Sequence, residues 1–250
     1  MKVIACYSNK GGVGKTATAV NLAYALASAG VRTLLCDLDP QGAAGFYYRL
    51  KPSKSLSNSR FFNDAGRLSN AIRASDFSNL DVLPANKSYR EFDVLLSQMS
   101  TARSPLGRAL AGIEFDYEVV VLDCPPNLSV LSEHIFQTAD AIVVPVIPTT
   151  LSQRTLRQLV KYFKSNDLSV EKLHCFFSMV QVSKTLHRDT MEQMRDTYGQ
   201  RFLTAQIPFA TDVERMGLHR APVMVSARNS PASRAYLALC EEVVSRVFKT

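Results

Sequence analysis

The feature that most constrains this chain is the segment Lys10-Gly11-Gly12-Val13-Gly14-Lys15-Thr16, which lies between a strand pattern and a helix pattern. The strand is predicted over Val3–Ser8 and the helix over Thr16–Ala29. Three glycines let backbone N–H groups approach a phosphate closely, and a helix N-terminus favours negative charge. A turn that merely joins a strand to a helix does not need this order of residues. The segment therefore predicts a phosphate-binding loop, in which Lys15 reaches the β and γ phosphates and the Thr16 hydroxyl ligates Mg²⁺.

Two acidic strand ends complete the predicted site. The first strand, Thr33–Asp37, is followed by Leu38 and then by Asp39, which lies 24 positions beyond Lys15. Because open α/β sheets bind ligands at the carboxyl ends of their strands, we expect Asp39 to lie beside the Mg²⁺ and the attacking water. Asp37 is one step inside the strand, and we expect it to be structural or to act through other residues.

The second acidic end belongs to a strand predicted over Glu118–Asp123, whose central residues Val119-Val120-Val121-Leu122 are continuously apolar. Asp123 is expected to accept hydrogen bonds from a Mg²⁺-bound water, since Mg²⁺ keeps several waters and takes few direct carboxylates. The alternative for Asp39 and Asp123 is an aspartate that only caps the next helix. Two such strand ends after one phosphate loop favour the metal-site interpretation.

The phosphate loop departs from the general P-loop pattern, because Asn9 stands where a glycine is usual and Lys10 follows it. Lys-Gly-Gly-x-Gly-Lys-Thr is the deviant Walker A motif, and in this motif the chain resembles the ParA/MinD family of ATPases. The resemblance extends over most of the chain. It includes the Asp-Leu-Asp-Pro-Gln run around Asp39, the Cys-Pro-Pro turn after Asp123, and Ile207-Pro208.

The resemblance implies roles for single residues. Lys10 would cross a dimer interface to touch the phosphates on the other subunit, neutralising transition-state charge as an arginine finger does. Pro208 would lie against the adenine, although a proline that ends a strand explains this residue equally well. The expected nucleotide-binding residues are Lys10, Gly11, Gly12, Val13, Gly14, Lys15, Thr16, Ala17 and Pro208. The expected catalytic residues are Lys10, Lys15 and Asp39, and the expected metal-site residues are Thr16, Asp39 and Asp123.

The resemblance also implies an activity and partners. ATP and Mg²⁺ would pair two monomers face to face, and slow hydrolysis would separate them. In the ParA branch the dimer binds DNA nonspecifically, and a cargo-bound adaptor, ParB-like in role, stimulates hydrolysis. The cargo would be a plasmid, a chromosome or a protein compartment such as a carboxysome. We therefore expect a cytoplasmic, nucleoid-associated protein without stable membrane association.

The chain pattern predicts one α/β domain over residues 1–250, with a doubly wound, mostly parallel sheet and helices on both faces. Short β-branched runs alternate with amphipathic stretches. A Ser/Asn-rich stretch, residues 51–79, is expected to be a surface excursion with short helices. The predicted strands are Val3–Ser8, Thr33–Asp37, Leu80–Pro84, Glu118–Asp123, Ala141–Ile147, Leu173–Val180 and Leu203–Ile207.

Charge is unevenly distributed along the chain. Residues 1–149 hold 14 Lys/Arg and 13 Asp/Glu, a net charge of +1. Residues 150–250 hold 15 Lys/Arg and 9 Asp/Glu, a net charge of +6 out of the total of +7. Such an excess can attract a polyanion such as DNA, although a solvated basic face is the alternative. Asp212 stands where chromosomal members of the family often carry a DNA-contacting arginine. The candidates for DNA contact are therefore taken from this chain's own basic residues, Lys184, Arg188, Arg215 and Arg220.

Composition argues against several other classes. The five cysteines lie far apart with no CxxC pair, and the four histidines show no ligand spacing, so neither a zinc site nor a redox couple is expected. No apolar run approaches the roughly 18 residues that a membrane span needs. The last predicted helix, Ala232–Phe248, has an apolar stripe, but its mixed-charge polar face favours core packing over a membrane-surface anchor.

Three alternatives stay open at this point. A MinD-like membrane regulator would need a basic amphipathic tail after the last helix. An iron-sulfur reductase of the same superfamily would need cysteines that bridge two subunits, and only Cys124 is near a switch loop. A biosynthetic ATP-dependent ligase would need a second substrate pocket. Because the first strand starts at residue 3, we expect no N-terminal helix-turn-helix domain and no operator-specific repression.

Overall fold

The computed structural model describes residues 1–54, 56–99 and 104–248. Strands within these residues form one sheet in the order β3-β4-β2-β5-β1-β6-β7-β8, with β1 (Lys2–Cys6), β2 (Thr33–Asp37), β3 (Arg73–Ala74), β4 (Leu80–Leu83), β5 (Val119–Asp123), β6 (Ala141–Val146), β7 (Leu173–Val180) and β8 (Phe202–Pro208). All neighbouring pairs are parallel except β3 with β4. The predicted fold class is therefore confirmed. Each predicted strand is present with its ends within two residues of the prediction, and the two-residue antiparallel β3 was not predicted.

Helices cover both faces of the sheet. In the part of the chain that the structure describes they are α1 (Lys15–Ser28), α2 (Ala43–Tyr47), α3 (Asn58–Asn63), α4 (Ala65–Ala71), α5 (Phe92–Gln98), α6 (Pro105–Ala111), α7 (Val130–Thr138), α8 (Thr150–Ser165), α9 (Thr185–Tyr198), α10 (Thr211–Glu214), α11 (Met216–His219), α12 (Val223–Ser226) and α13 (Pro231–Val247). Alternate residues of β1 point into two separate apolar cores, Val3 and Ala5 into one, Ile4 and Cys6 into the other. Strands β5 and β6 are buried along their whole length, as a doubly covered sheet requires.

The Ser/Asn-rich stretch 51–79 does contain short helices, but it is more deeply packed than a surface excursion. Phe61 and Phe62 of α3 are buried and make edge-on or tilted ring contacts with Phe92. Tyr89 stacks on the same Phe92 ring at 4.3 Å between centroids. The aromatic cluster supplies burial that the weak periodicity of the sequence did not indicate. Ser55, one of the serines that suggested an excursion, lies outside the described residues.

The last helix packs against the core, as its apolar stripe predicted. Tyr236, Leu239 and Cys240 of α13 are buried, whereas Phe248, predicted to extend the stripe, follows the helix and is 44% exposed. The polar face has a structural task as well. Glu242 accepts hydrogen bonds from the backbone N–H groups of Thr204 and Ala205 at 2.7 and 2.6 Å, which occupies donors on the edge strand β8. No helix among the described residues has the length and apolar character of a membrane span.

Candidate nucleotide site

The loop between β1 and α1 has the geometry of a phosphate cradle. Gly12 and Gly14 adopt φ of +71° and +96°, a region that side-chain-bearing residues rarely occupy. A Cβ at Gly11 or Gly12 would meet nothing within 4 Å, so their backbone lies open to a ligand. Helix α1 begins at Lys15 with no acidic residue in its first turn and no side-chain cap. Its free N–H groups and positive dipole end are therefore available to an anion.

Ser178 of β7, two strands away from β1 in the sheet, supports this loop. Its hydroxyl donates to the carbonyl oxygen of Val13 at 2.9 Å. A Cβ on Gly14 would approach the Ser178 hydroxyl oxygen at 3.2 Å. The next residue, Met179, has φ of +54°. Sequence reasoning missed Ser178 because it is 165 positions away from Val13 along the chain.

The two lysines of the loop point to different places. Lys15 is 7% exposed and donates to the carbonyl oxygen of Lys10 at 3.2 Å. Burial lowers the pKa of the Lys15 ammonium, and the carboxylates of Asp123 and Asp39 act in the opposite direction. The Lys10 ammonium instead donates to the Ser152 hydroxyl, 3.3 Å away in the first turn of α8. Lys15 is thus held over its own loop, while Lys10 turns towards a different helix.

Asp37 and Asp39 differ in burial and in hydrogen bonding. The Asp37 carboxylate is fully buried and accepts from the N–H groups of Asp39, Ala44 and Gly45 at 3.1, 3.1 and 3.4 Å. It thereby holds the loop and the start of α2 in place. Asp39 is only half-buried, and its Oδ1 accepts a hydrogen bond from the N–H of Gln41 at 3.0 Å. One Asp39 carboxylate oxygen is therefore available to a ligand or water.

Asp123 is the most unusual group in the site. It lies opposite Asp37 in the β2–β5 register and opposite Cys6 in the β1–β5 register. Both carboxylate oxygens are buried, and among the described residues neither has a hydrogen bond of good geometry, the Thr16 hydroxyl being the neighbouring donor. Burial raises the pKa of Asp123 to about 7 and the charge of Asp39 adds to this, whereas the Thr16 hydroxyl and Lys15 lower it. A buried carboxylate without donors costs free energy unless something else compensates it.

These residues fit a Mg²⁺ ion bound together with phosphate. Thr16 supplies a hydroxyl beside Asp123, and the orphaned Asp123 oxygens would accept from metal-bound water. No group of three His, Cys, Asp or Glu side chains converges within the described residues, so they form no protein-only metal cage. That donor set suits Mg²⁺, which commonly binds through one or two protein groups plus phosphates.

A mainly apolar cleft opens beside the phosphate loop. It encloses about 70 Å³ between the start of α1 and the end of β8. Gly14 and Ala17 line one side, and Pro208 and Phe209 line the other. Pro208 therefore lies across this cleft from the phosphate loop. Phe209 and Val213, which also line this cleft, were not among the predicted site residues.

The four basic residues predicted to contact DNA lie on separate elements. Lys184 and Arg188 are exposed at the start of α9, and Arg215 is exposed between α10 and α11. Arg220 lies 4.3 Å over the ring of Phe46 in α2 and has φ of +48°. The described contacts do not join these residues into one cluster.

The fold and the loop define a nucleotide-binding P-loop protein with two acidic strand ends. Known proteins resemble this chain over nearly its whole length. Residues 1–174 match a family model described as "AAA domain". The chain is 30% identical to the chromosome partitioning protein ParA of Caulobacter vibrioides, covering 98% of this chain and 95% of that one. It is 29% identical to the sporulation initiation inhibitor protein Soj of Bacillus subtilis, covering 98% of both.

A solved structure described as cobyrinic acid a,c-diamide synthase from Mycobacterium smegmatis, with bound ATP analogue and magnesium, is 27% identical to this chain. The two superimpose with a TM-score of 0.83 over 98% of this chain and 94% of that one. The chain belongs to the ParA/MinD family of partitioning ATPases.

Proposed function

We propose that this ParA-family ATPase is a Mg-ATP-dependent dimerising switch that binds DNA nonspecifically and positions a cargo through a hydrolysis-stimulating adaptor. The observation that supports it most is the divergence of the two loop lysines. Lys15 covers its own phosphate cradle, whereas Lys10 is held 3.3 Å from Ser152, away from that cradle. A lysine directed out of its own site is available to the phosphates of a second subunit.

In this proposal each group has one task. The loop N–H groups and Lys15 hold the β and γ phosphates, and Lys10 of the opposing subunit stabilises charge that develops during transfer. Asp39, with a free carboxylate oxygen, orients the attacking water. Mg²⁺ would be held by Thr16 and, through water, by Asp123, and it would neutralise charge on the phosphate oxygens. The adenine occupies the apolar cleft at Pro208.

The dimer interface is proposed at the carboxyl edge of the sheet. Leu128, Leu151 and Val182 are 44%, 65% and 71% exposed, and each lies shortly after a strand that ends at this edge. Apolar side chains that remain exposed around a binding edge are suited to burial against a second copy. ATP bound between the two subunits would complete the contact, and its hydrolysis would release it.

The test compares DNA binding and subunit association in ATP, ADP and no nucleotide. DNA affinity should require ATP and should fall steeply with salt, because each phosphate contact releases counterions. Lys10→Ala should lose pairing and DNA binding together, although Lys10 contacts no DNA in this scheme. Strong binding in ADP, or DNA binding by monomeric Lys10→Ala, would contradict the proposal. We also place the protein in the cytoplasm at the nucleoid, where a fluorescent fusion should co-localise with DNA.

A second candidate is ATP-dependent biosynthetic ligation, because of the likeness to the cobyrinic acid a,c-diamide synthase structure. This candidate predicts that ADP release depends on a carboxylic acid substrate and a nitrogen donor. The partitioning proposal predicts instead that DNA and an adaptor stimulate ADP release. Measuring ADP release with each set of additives separates the two.

A further inference from the structure

Helix α8 presents a stripe of positive charge to solvent. Its exposed basic residues are spaced three, four and three positions apart and are Arg154, Arg157, Lys161 and Lys164. This spacing keeps them on one face of a helix, opposite the buried face formed by Ser152, Leu156, Leu159 and Phe163. The helix contains no Asp or Glu.

The stripe is not neutralised by its surroundings. None of its four basic side chains forms an ion pair within residues 1–54, 56–99 and 104–248. The nearest acidic group with a recorded contact to α8 is Glu133, which accepts a hydrogen bond from the Tyr162 hydroxyl at 2.8 Å. Asp167 follows the helix in the chain. By contrast, α9 interleaves Arg188 and Arg195 with three acidic residues, Asp189, Glu192 and Asp196.

A polar cleft of about 360 Å³ adjoins the stripe through Tyr198, whose hydroxyl interacts with Arg157. Arg201 and Arg246 line this cleft, together with the single acidic residue Glu171. Neither arginine has an ion-pair partner in the described part of the chain. Guanidinium groups without a carboxylate partner can form charge-assisted hydrogen bonds to phosphate oxygens.

We propose that the basic face of α8, continued by the Arg201–Arg246 cleft, is the surface that holds the phosphate backbone of duplex DNA. The inference rests on the proposed function and locates its DNA contact. From Arg154 to Lys164 the stripe is about 15 Å long at 1.5 Å per residue. That length matches about four phosphates of one DNA strand at 3.4 Å of axial rise each. We prefer this surface to α9, whose charges balance, and to Arg220, which is stacked on Phe46, whereas Arg215 stays a candidate for DNA contact.

The test compares two double variants that remove the same charge. Lys161→Ala/Lys164→Ala removes two exposed stripe residues, and Lys184→Ala/Arg188→Ala removes two exposed basic residues of α9. Affinity for a short mixed-sequence duplex is measured by fluorescence anisotropy with ATP over a series of KCl concentrations. ATP-dependent pairing, measured by light scattering, serves as the control for folding and nucleotide binding in both variants.

The stripe variant should lose two phosphate contacts for each stripe that lies on the duplex, so the slope of log affinity against log salt should become shallower by about 1.8 per bound stripe. At about 0.15 M KCl this corresponds to a roughly 10- to 30-fold loss of affinity. The affinity of the α9 variant for the duplex should stay within about threefold of the wild-type affinity. Equal losses in the two variants, or a loss confined to α9, would overturn the α8 assignment while the proposed function stands.

A wild-type protein that pairs with ATP but does not bind the duplex would instead refute the proposed function and the surface together. Binding to phosphatidylglycerol vesicles without binding to DNA would have the same consequence. Arg246→Ala provides an independent check of the cleft. It should weaken DNA binding severalfold with pairing intact, and unchanged affinity would remove the cleft from the surface.

Discussion

Replacing Asp123 by asparagine should stabilise the nucleotide-free protein while removing its response to Mg-ATP. The Asp123 oxygens are buried with no hydrogen bond of good geometry among the described residues, and burial raises the pKa of this carboxyl to about 7. Above pH 7 the folded protein holds a charge that the unfolded chain solvates freely. Because the folded pKa is raised, stability falls as the pH rises from about 3.8 to about 7 and stays reduced above that.

The magnitude follows from that shift. The rise of the Asp123 pKa from about 3.8 to about 7 corresponds to destabilisation on the order of 4 kcal/mol at pH 8. Asparagine removes the charge but leaves a buried amide, which costs about 1–3 kcal/mol when it is unpaired. The attraction to Lys15 is already contained in the net pKa of Asp123. A net stabilisation of about 1–3 kcal/mol at pH 8 raises the Tm of a chain of this size by about 2–12 °C.

Asp37→Asn provides the matched control. It changes the same chemical group at the paired register position, but Asp37 accepts three backbone N–H bonds that asparagine cannot all retain. Burial and the charge of Asp123 raise the pKa of Asp37 too, so loss of the charge offsets part of this cost, and the Asp37→Asn protein should be less stable than the Asp123→Asn protein. Differential scanning calorimetry at pH 8, with and without Mg-ATP, measures both variants. If, without nucleotide, the Tm of Asp123→Asn is at or below that of wild type, the reasoning is refuted. It is also refuted if Mg-ATP raises the Tm of this variant as much as it raises that of wild type.

Three further outcomes are expected. Lys15→Ala should lose ATP binding, because its ammonium carries the charge closest to the β and γ phosphates; an affinity within about twofold of wild type would contradict the loop assignment. Asp39→Ala should bind Mg-ATP and remain paired while hydrolysis falls at least about tenfold, and chromatography that showed only monomer in ATP would assign Asp39 to the interface or the fold. Burial, aided by Arg246, lowers the pKa of His174 to about 4, so stability should fall as the pH drops from about 6.5 to about 4. His174→Gln should remove on the order of 1–3 kcal/mol of that decline, as urea unfolding at pH 7 and pH 4.5 would show.

Most of the fold was predictable because it is determined by local patterns. Continuous apolar runs such as that of β5 occur only where both faces of a strand are covered, and alternation with helices implies parallel strands. The phosphate loop is equally local, since its glycines, Lys15 and Thr16 are adjacent in the chain. The aromatic packing of residues 51–79 was missed, because no short-range period identifies contacts between Phe61 and Tyr89.

Tertiary structure decided which distant groups meet. The sequence alone indicated that Asp39 and Asp123 lie at the phosphate loop, because strand ends converge at one edge of a parallel sheet. It did not indicate that Ser152 would receive the Lys10 ammonium or that Asp123 would lie without hydrogen-bond donors. The basic residues of α8 can be read from the chain, but their lack of ion-pair partners depends on which elements pack beside them. Adjacency in space is set by the summed packing of all the elements, and for that reason charge compensation and burial appear only in the folded molecule.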